Sequence, residues 1–277
     1  MKFVMTGHKG LIGSSLLKRL EERGDEAVLL VDERDGKTLN DLDDIELSEP
    51  VDMMIHLASF CKINKCVGGP DLAFENNVLG MHKVMEFCRR HKIPKIVFTS
   101  SSRVLSPEKN TYTASKLYGE ELVKGYSQSY GVDYVIIRPS TVYGPFDDKT
   151  SRLMDIWCRA ALRGEELKIF GSSGRTLDFT YIDDFVDGML LAMAQKNEAF
   201  DISAGEGIPL DYVADLLVFL AGRGSKNFYP AEITQPQEVE LDISAIRSLG
   251  YKPKVGIDEG VKRTLDWYRE NLDKLGR

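Results

Sequence analysis

Tyr112 and Lys116, four residues apart, are the pair whose side-chain types and spacing predict chemistry. On a helix, residues i and i+4 lie on one face with their Cβ atoms about 5–6 Å apart. A lysine held at that distance favours the ionised form of a tyrosine, whose pKa is ordinarily about 10. The pair therefore predicts a general base that takes the proton of an alcohol while a hydride leaves the carbon.

The N-terminal residues predict the element that would hold a hydride acceptor. An apolar strand at residues 2–6 leads into the sequence GHKGLIG at 7–13, and an amphipathic helix follows at once. Glycines permit a tight turn and the close approach of a pyrophosphate, and a helix N-terminus offers free N–H groups. The order of strand, glycine loop and helix therefore predicts a dinucleotide site.

Asp32 predicts which dinucleotide binds. It follows a second strand at residues 27–31 and lies nineteen residues after Gly13, where an acid binds the ribose hydroxyls of the adenosine. A carboxylate at this place repels a 2′-phosphate, so we expect NAD as the cofactor. Arg34 is the feature that would instead favour NADP.

The rest of the chain alternates strands and helices. Further strands are predicted at residues 51–57, 95–99 and 133–138, and helices at 76–90 and 112–130. Repeated βα units predict an α/β fold, a Rossmann-type doubly wound parallel sheet with ligands at the carboxyl ends of its strands. We expect an NAD-binding domain at residues 1–145 that carries the catalytic residues. Residues 146–277 should form a smaller α/β lobe that mainly binds substrate, with some segments returning to the main domain.

Composition limits the partners. The 277 residues carry a formal net charge of −7, which argues against nucleic acid or an anionic membrane as a partner. No apolar run reaches the length of a membrane span and the N-terminus lacks a secretion leader, so we expect a cytoplasmic protein. The four cysteines and four histidines lack the paired spacing of a metal site. We therefore expect reduced thiols and no metal.

Together these features resemble the extended short-chain dehydrogenase/reductase superfamily, and within it the NAD-dependent epimerase/dehydratase family typified by UDP-galactose 4-epimerase. The resemblance spans nearly the whole chain. The matching segments are residues 6–13, 32, 55–58, 77–80, 98–101, 112–116, 138–139, 142–145, 178–184 and 249–253.

The resemblance implies NAD as the cofactor and a role for each site residue. Tyr112 is the base, Lys116 lowers its pKa and binds the nicotinamide ribose, and Ser101 hydrogen-bonds the reacting oxygen. The implied cofactor-binding residues are Gly7, Gly10, Leu11, Ile12, Gly13, Asp32, Leu57, Ala58, Asn77, Ser100, Tyr112, Lys116 and Pro139. The implied substrate-binding residues are Ser101, Ser102, Arg103, Thr141 and Arg175. In the implied reaction a hydroxyl is oxidised to a ketone, the sugar turns over, and the hydride returns to its other face.

Three departures from the family pattern fall on one ligand, the diphosphate of a nucleotide sugar. Leu177 replaces a phosphate-binding arginine, Thr141 replaces an asparagine, and residues 235–241 lack a second arginine. Arg175 is the candidate replacement, and Arg103 and Arg152 are further cations that could reach the site. Because Ser102 and Arg103 stand where dehydratases carry an acid and a base, the sequence argues against dehydration.

Three functions stay open from the sequence. The first is an NAD-dependent epimerase, acting on a nucleotide sugar. The second is an NAD-dependent dehydrogenase or reductase of a smaller substrate, such as a sugar acid or an amino-alcohol, with an exchangeable cofactor. The third is a non-catalytic NAD-binding regulator, against which the intact Ser101, Tyr112 and Lys116 argue. The resemblance also implies a homodimer that pairs the helices predicted at 76–90 and 112–130. The alternative is that the apolar residues of these helices pack only on the sheet of their own chain.

Overall fold

The computed structural model describes residues 1–232 and 241–275. Its helices are α1 (Leu11–Glu22), α2 (Ile63–Gly68), α3 (Pro70–Ala73), α4 (Gly80–Arg90), α5 (Thr111–Tyr130), α6 (Leu153–Arg163), α7 (Ile182–Ala192), α8 (Leu210–Ala221), α9 (Ser244–Ser248) and α10 (Ile257–Asn271). Its strands are β1 (Lys2–Thr6), β2 (Glu26–Val31), β3 (Met53–His56), β4 (Lys95–Thr99), β5 (Asp133–Pro139), β6 (Thr141–Tyr143), β7 (Glu166–Phe170), β8 (Thr176–Tyr181), β9 (Glu198–Ile202), β10 (Gly207–Pro209) and β11 (Ser225–Tyr229). Short 3₁₀ helices occur at Glu33–Asp35, Leu39–Asp43 and Ser102–Leu105, and a π-helical segment at Phe74–Leu79.

Six parallel strands form the main sheet, in the order β2-β1-β3-β4-β5-β9. The chain leaves β1 toward β2 on one side and then returns to the other side of β1 with β3. The strand order therefore reverses between β1 and β3, which opens a crevice at the carboxyl ends of the strands. The predicted Rossmann-type, doubly wound parallel sheet is confirmed.

The central strands bury both of their faces. In β1, Phe3 and Met5 pack on the side of α1 and α7, whereas Val4 between them packs on the side of α4 and α5. Neighbouring strand residues point to opposite faces, so one apolar strand supplies two cores. The short apolar runs of the sequence require a helical layer on each side of the sheet.

Helix α5 carries Tyr112 and Lys116 and has a definite start and end. The Oδ1 atom of Asn110 accepts the N–H of Thr113 at 2.9 Å, which caps the N-terminus. Gly131 ends the helix with a φ of +73°, a conformation that glycine adopts readily. The helix predicted at residues 112–130 is therefore confirmed to within one residue.

The helix predicted at residues 76–90 is interrupted. Its first part is the π-helical segment Phe74–Leu79, and α4 begins only at Gly80. A π turn inserts one extra residue into the helical ladder and shifts the side chains that follow it. Periodicity of apolar residues over so short a segment does not distinguish the two kinds of helix.

The second half of the chain builds two small sheets and also returns to the main sheet. Strands β6, β8 and β10 form a three-stranded sheet, and β7 pairs in parallel with β11. Strand β9 lies beside β5 in the main sheet. The division at residue 145 into an NAD-binding domain and a substrate-binding lobe stays a prediction.

Within residues 1–232 and 241–275, no helix is both long and apolar enough to cross a membrane. The same ranges hold no cluster of three or more histidine, cysteine, aspartate or glutamate side chains placed to bind a metal ion. All four cysteines are free thiols.

Candidate active site

A cavity of about 900 Å³ opens at the carboxyl ends of β1 to β5. It runs from the loop after β1 to Phe170 and Arg175, which belong to the second half of the chain. The predicted site residues that line it are Gly7, Gly10, Leu11, Ile12, Gly13, Asp32, Leu57, Ala58, Ser100, Ser101, Ser102, Arg103, Tyr112, Lys116, Pro139, Thr141 and Arg175. The structure thus brings together nearly every residue that the sequence predicted for one site.

Asn77, predicted to bind the cofactor, lies one layer behind the cavity. Its amide nitrogen donates to the Phe60 carbonyl at 3.0 Å and to the Ser115 hydroxyl at 3.1 Å. Its amide oxygen accepts from the Phe60 N–H at 2.8 Å and the Ser59 hydroxyl at 3.1 Å. These four hydrogen bonds satisfy every donor and acceptor of the amide. Asn77 therefore positions Ser59 and Phe60, which line the cavity.

The glycine loop is packed too tightly for any side chain. A Cβ atom on Gly7, whose φ is +77°, would lie 2.6 Å from the Ala58 nitrogen, and one on Gly13 would lie 2.1 Å from the Gly7 oxygen. Helix α1 then begins at Leu11 without a capping side chain. Its first N–H groups are left for a ligand, and they favour an anion. This cradle fits a pyrophosphate.

Asp32 is held in position at the end of β2. Its two carboxylate oxygens accept the N–H groups of Lys9 and Arg34, each at 3.0 Å. The carboxylate keeps lone pairs that can accept ribose hydroxyls. The Arg34 Nε atom lies 3.8 Å from the same carboxylate. The negative charge of Asp32 therefore partly neutralises the positive charge of Arg34, which would otherwise attract a 2′-phosphate. The donor set as a whole fits NAD.

Tyr112 and Lys116 are both buried in the cavity wall beside β4. The Lys116 Nζ atom lies 6.0 Å from the centre of the Tyr112 ring and 5.2 Å from that of Phe98. It donates to the carbonyl oxygen of Thr99 at 2.8 Å. The lysine is therefore anchored to the end of β4, on the same side of α5 as the tyrosine.

Burial dominates the ionisation of this pair. It raises the pKa of Tyr112 above its ordinary value, while the Ser101 hydroxyl and the charge of Arg103 act in the opposite direction. Burial also lowers the pKa of Lys116 to about 8. Both changes favour the neutral forms. The predicted phenolate therefore requires a further positive charge close to the phenol.

Glu120 is a buried carboxylate behind the site that the sequence analysis did not single out. It accepts a hydrogen bond from the Ser100 hydroxyl at 2.6 Å and two from the Arg138 guanidinium at 2.8 and 2.6 Å. Its charge also favours the protonated form of Lys116. The signal that could have identified it is spacing, because Tyr112, Lys116 and Glu120 follow one another at every fourth position of α5.

Two arginines face the part of the cavity predicted for substrate. Arg103 lies in the 3₁₀ helix Ser102–Leu105, Arg175 precedes β8, and both are half-buried. Among the residues that the structure describes, neither has a carboxylate within 4.0 Å. Arg175 donates to the Phe170 carbonyl at 3.2 Å. By contrast, the third candidate, Arg152, is paired with Asp148.

The departures from the family pattern lie along the same wall. Leu177, on β8, lines the cavity and also packs against the apolar core, so it offers an apolar surface to a ligand. Thr141 opens β6. Residues 235–240, in the segment predicted to lack a second arginine, lie outside the described ranges, and Leu241 at its end lines the cavity.

The chain matches the model of the NAD dependent epimerase/dehydratase family over residues 3–203. It is 30% identical to a putative UDP-glucose 4-epimerase of Methanocaldococcus jannaschii, over 97% of this chain and 98% of that one. Among solved structures, it resembles the UDP-glucose 4-epimerase of Thermus thermophilus in complex with NAD, with a TM-score of 0.89, 25% identity and coverage of 97% and 99%. It also resembles the UDP-glucose 4-epimerase of Thermotoga maritima with UDP-glucose, with a TM-score of 0.87, 25% identity and coverage of 98% and 100%.

Proposed function

The chain belongs to the NAD-dependent epimerase/dehydratase family, and from that premise we propose that it is a nucleotide-sugar 4-epimerase that oxidises the C4 hydroxyl transiently to a ketone. It is an enzyme of the extended short-chain dehydrogenase/reductase type, and its cofactor is NAD. The non-catalytic regulator that the sequence left open is therefore set aside. The observation that carries the proposal is a single cavity that joins the glycine cradle, the Ser101–Tyr112–Lys116 group and Arg175.

When bound, NAD supplies the acceptor that takes a hydride from the sugar carbon and later returns it. The chain's own task is to bind and orient. The first turn of α1 holds the pyrophosphate against Gly7 and Gly13, and Asp32 accepts the adenosine ribose hydroxyls. The carboxyl end of β4 and the start of α5 then place the reacting side chains beside the sugar.

The proton follows a path through Tyr112. The phenolate oxygen takes the proton of the C4 hydroxyl as the hydride leaves, and the resulting phenol gives it back when the hydride returns. No net proton is consumed. The Ser101 hydroxyl hydrogen-bonds the reacting oxygen, and Lys116, anchored on the Thr99 carbonyl, binds the nicotinamide ribose and supplies positive charge near the phenol.

We assign to Arg175 the role of the phosphate-binding arginine that the family carries at the position of Leu177. Its guanidinium lines the cavity on the side of the second half of the chain, and the described ranges place no carboxylate within 4.0 Å of it. Arginine matches the oxygens of a phosphate with paired N–H groups. We assign it to the diphosphate of the nucleotide sugar.

The experiment that tests this function has two parts. The dinucleotide is released from purified protein by denaturation and identified by mass, and the native protein is titrated with UDP-, dTDP- and GDP-sugars while its melting temperature is followed. We expect retained NAD and a rise in melting temperature with one nucleotide series. Conversion of the stabilising sugar to its C4 epimer, followed by NMR, completes the test.

One observation favours a second candidate, an NAD-dependent dehydrogenase of a smaller substrate. Leu177 gives the cavity an apolar surface where the family has an arginine, which weakens the contact with a diphosphate. For this function we expect a site that takes up NAD reversibly and does not respond to any nucleotide sugar. That pair of results would overturn the epimerase proposal.

A further inference from the structure

Arg103 and Arg175 place two positive charges in one cavity. Neither has an ion-pair partner within residues 1–232 and 241–275, and the guanidinium of Arg103 donates no hydrogen bond within those ranges. Burial lowers the pKa of Arg103 to about 10, and repulsion from Arg175 adds to the effect. Two like charges in a half-buried cavity are unfavourable unless an anion joins them. The carboxylate of Glu232, which also lines the cavity, lies beyond 4.0 Å and favours the charged form of Arg175. This part of the cavity therefore favours a negatively charged ligand, above all beside Arg103.

With the diphosphate assigned to Arg175, the described residues offer no carboxylate within 4.0 Å of Arg103. Glu108 is the carboxylate whose charge raises the pKa of Arg103 and so favours its charged form. Glu108 accepts the Ser106 hydroxyl at 2.7 Å and lies beyond ion-pair distance from the guanidinium. Glu108 is also exposed, so it does not replace a ligand inside the cavity.

The backbone position of Arg103 places it at the sugar end of the cavity. Its N–H donates to the Ser101 Oγ atom at 3.2 Å, so it lies within one hydrogen bond of the serine assigned to the reacting oxygen. Its charge also acts on Tyr112, the proposed base. Arg103 therefore lies at the end of the cavity that would hold the reacting C4 carbon and its neighbours, whereas Arg175 comes from the second half of the chain, before β8.

In a hexopyranose, C4 is bonded to C3 and C5 in the ring, and C5 carries the exocyclic carbon C6. A neutral sugar carries a hydroxymethyl group there, and a hexuronate carries a carboxylate. A guanidinium binds a carboxylate through two parallel N–H bonds, and it gains much less from a hydroxyl. We propose that the substrate is a nucleotide hexuronate whose C6 carboxylate is bound by Arg103. This inference rests on the proposed function.

The experiment compares three ligands on the NAD-loaded protein by isothermal titration calorimetry. UDP carries the diphosphate alone, UDP-glucose adds a neutral sugar, and UDP-glucuronate adds the carboxylate. We expect UDP-glucuronate to bind at least about 30-fold more tightly than UDP-glucose, because a paired charge in a partly buried site contributes strongly to affinity. In the Arg103→Met variant the two sugars should bind within about 3-fold of each other, with the Kd of UDP unchanged.

Two further variants serve as controls. Arg163→Met removes an exposed arginine of α6 and should change none of the three affinities. Arg175→Met should weaken all three ligands together, because all carry the diphosphate. The unchanged Kd of UDP in Arg103→Met shows that this variant is folded. If it does not fold, the comparison of the three ligands on the wild-type protein decides alone.

Each result separates this inference from the proposed function. Equal affinity of the wild-type protein for UDP-glucose and UDP-glucuronate, with turnover of the neutral sugar, would refute the hexuronate and leave the epimerase intact. A loss of affinity in Arg103→Met that is the same for UDP as for both sugars would place Arg103 on the diphosphate and refute the inference. Failure of all three ligands to bind would refute UDP as the carrier, and failure of the matching dTDP and GDP ligands as well would refute the inference and the proposed function together.

Discussion

Tyr112, the proposed base, and Lys116, the cation beside it, both have ionised forms that burial disfavours. Tyr112 and Lys116 are both buried, and burial raises the pKa of Tyr112 and lowers that of Lys116 to about 8. An ionisable side chain whose pKa is shifted by burial and that lies in a cleft is a candidate for a functional site. Their placement is consistent with a function that only a bound cofactor and substrate complete.

At the residue scale, Tyr112→Phe removes the proposed base and little else. We expect the variant to keep its fold and its NAD, while kcat falls by about 10²–10⁴-fold, the range for loss of general acid–base catalysis. Turnover is measured by NMR on the sugar, and bound NAD by mass after denaturation.

Tyr118→Phe is the matched control for this prediction, because Tyr118 is exposed on the same helix. It should retain wild-type turnover. A Tyr112→Phe variant with NAD bound and turnover within about 3-fold of wild type would mean that another group takes the proton.

Lys116→Met makes a prediction about stability whose sign depends on pH. The unfolded chain holds the lysine proton up to about pH 10.5, whereas the folded chain releases it at about pH 8. Below pH 8 the folded state therefore carries a buried charge, at a penalty on the order of 3 kcal/mol. We expect the variant, freed of NAD, to be more stable than wild type at pH 7, with the gain shrinking toward pH 10.5, and to lose its turnover.

The measurement is urea unfolding of both proteins at pH 7 and at about pH 10. Lys124→Met, on the exposed side of α5, should change stability by less than about 0.5 kcal/mol at both values. A Lys116→Met variant that is less stable than wild type by the same amount at every pH would show that the hydrogen bond to Thr99, and not burial of charge, decides the energetics.

At the scale of elements, the contact between the glycine loop and α1 explains why two of these glycines have no substitute. Gly13→Ala places a Cβ atom 2.1 Å from the Gly7 oxygen. We expect a loss of about 1–3 kcal/mol in stability from overpacking and at least a 10-fold weaker hold on NAD. Unfolding in urea and the retained fraction of dinucleotide test the two effects separately.

Gly125, in the interior of α5, is the control for that substitution. A Cβ atom there would meet nothing within 4 Å. Gly125→Ala should therefore stabilise the protein by about 0.5–1 kcal/mol, since alanine favours a helix. Opposite signs for the two glycines would confirm the steric argument, and stabilisation by both would show that helix propensity and the restricted unfolded chain outweigh the close contact at Gly13.

The type of an element was predictable from the sequence wherever its pattern of apolar residues fits only a strand or only a helix. The alternation of Phe3, Val4 and Met5 between two cores requires a strand covered on both sides, and Asn110 and Gly131 mark the ends of α5. The π-helical segment Phe74–Leu79 was not predictable, because one added residue leaves the apolar pattern nearly unchanged.

The site was predictable in its residues and less so in its geometry. The spacing of Tyr112 and Lys116 shows that they share a helix face, yet it does not show that the ammonium points to Thr99 or that burial raises the tyrosine pKa. The amide of Asn77 forms its hydrogen bonds with Ser59 and Phe60, behind the wall of the cavity. No local sequence pattern predicts these contacts. Such outcomes depend on residues far apart in the chain.

At the scale of the whole molecule, we propose that the protein forms a homodimer through the face near α3, α4 and α5. Large apolar side chains are exposed there. They are Leu72, Phe74, Leu79 and Tyr118, with exposed fractions of 49%, 52%, 43% and 37%. Apolar groups clustered on neighbouring elements are typical of a protein–protein interface. We expect light scattering after size exclusion to give twice the mass of the 31.1 kDa chain.

Phe74→Asp tests the dimer at its most exposed apolar side chain. A charge within the interface should raise the dissociation constant at least about 100-fold and give a monomer at micromolar concentration. Phe219→Asp, on α8 and 80% exposed, should leave the mass unchanged. A wild-type monomer, or a dimer that only Phe219→Asp dissociates, would place the interface elsewhere or remove it.

The position of β9 at the edge of the main sheet determines when this sheet can be completed during synthesis. Strand β5 pairs with β9 through residues 135–139 and 198–202, so about 60 residues of the second half separate the two partners. On the ribosome, the nucleotide-binding sheet stays unfinished until residue 202 has emerged, and β5 presents an open edge that can pair with other chains. A fragment that ends at residue 145 should therefore aggregate, and we expect the nascent chain to depend on protection of that edge during synthesis.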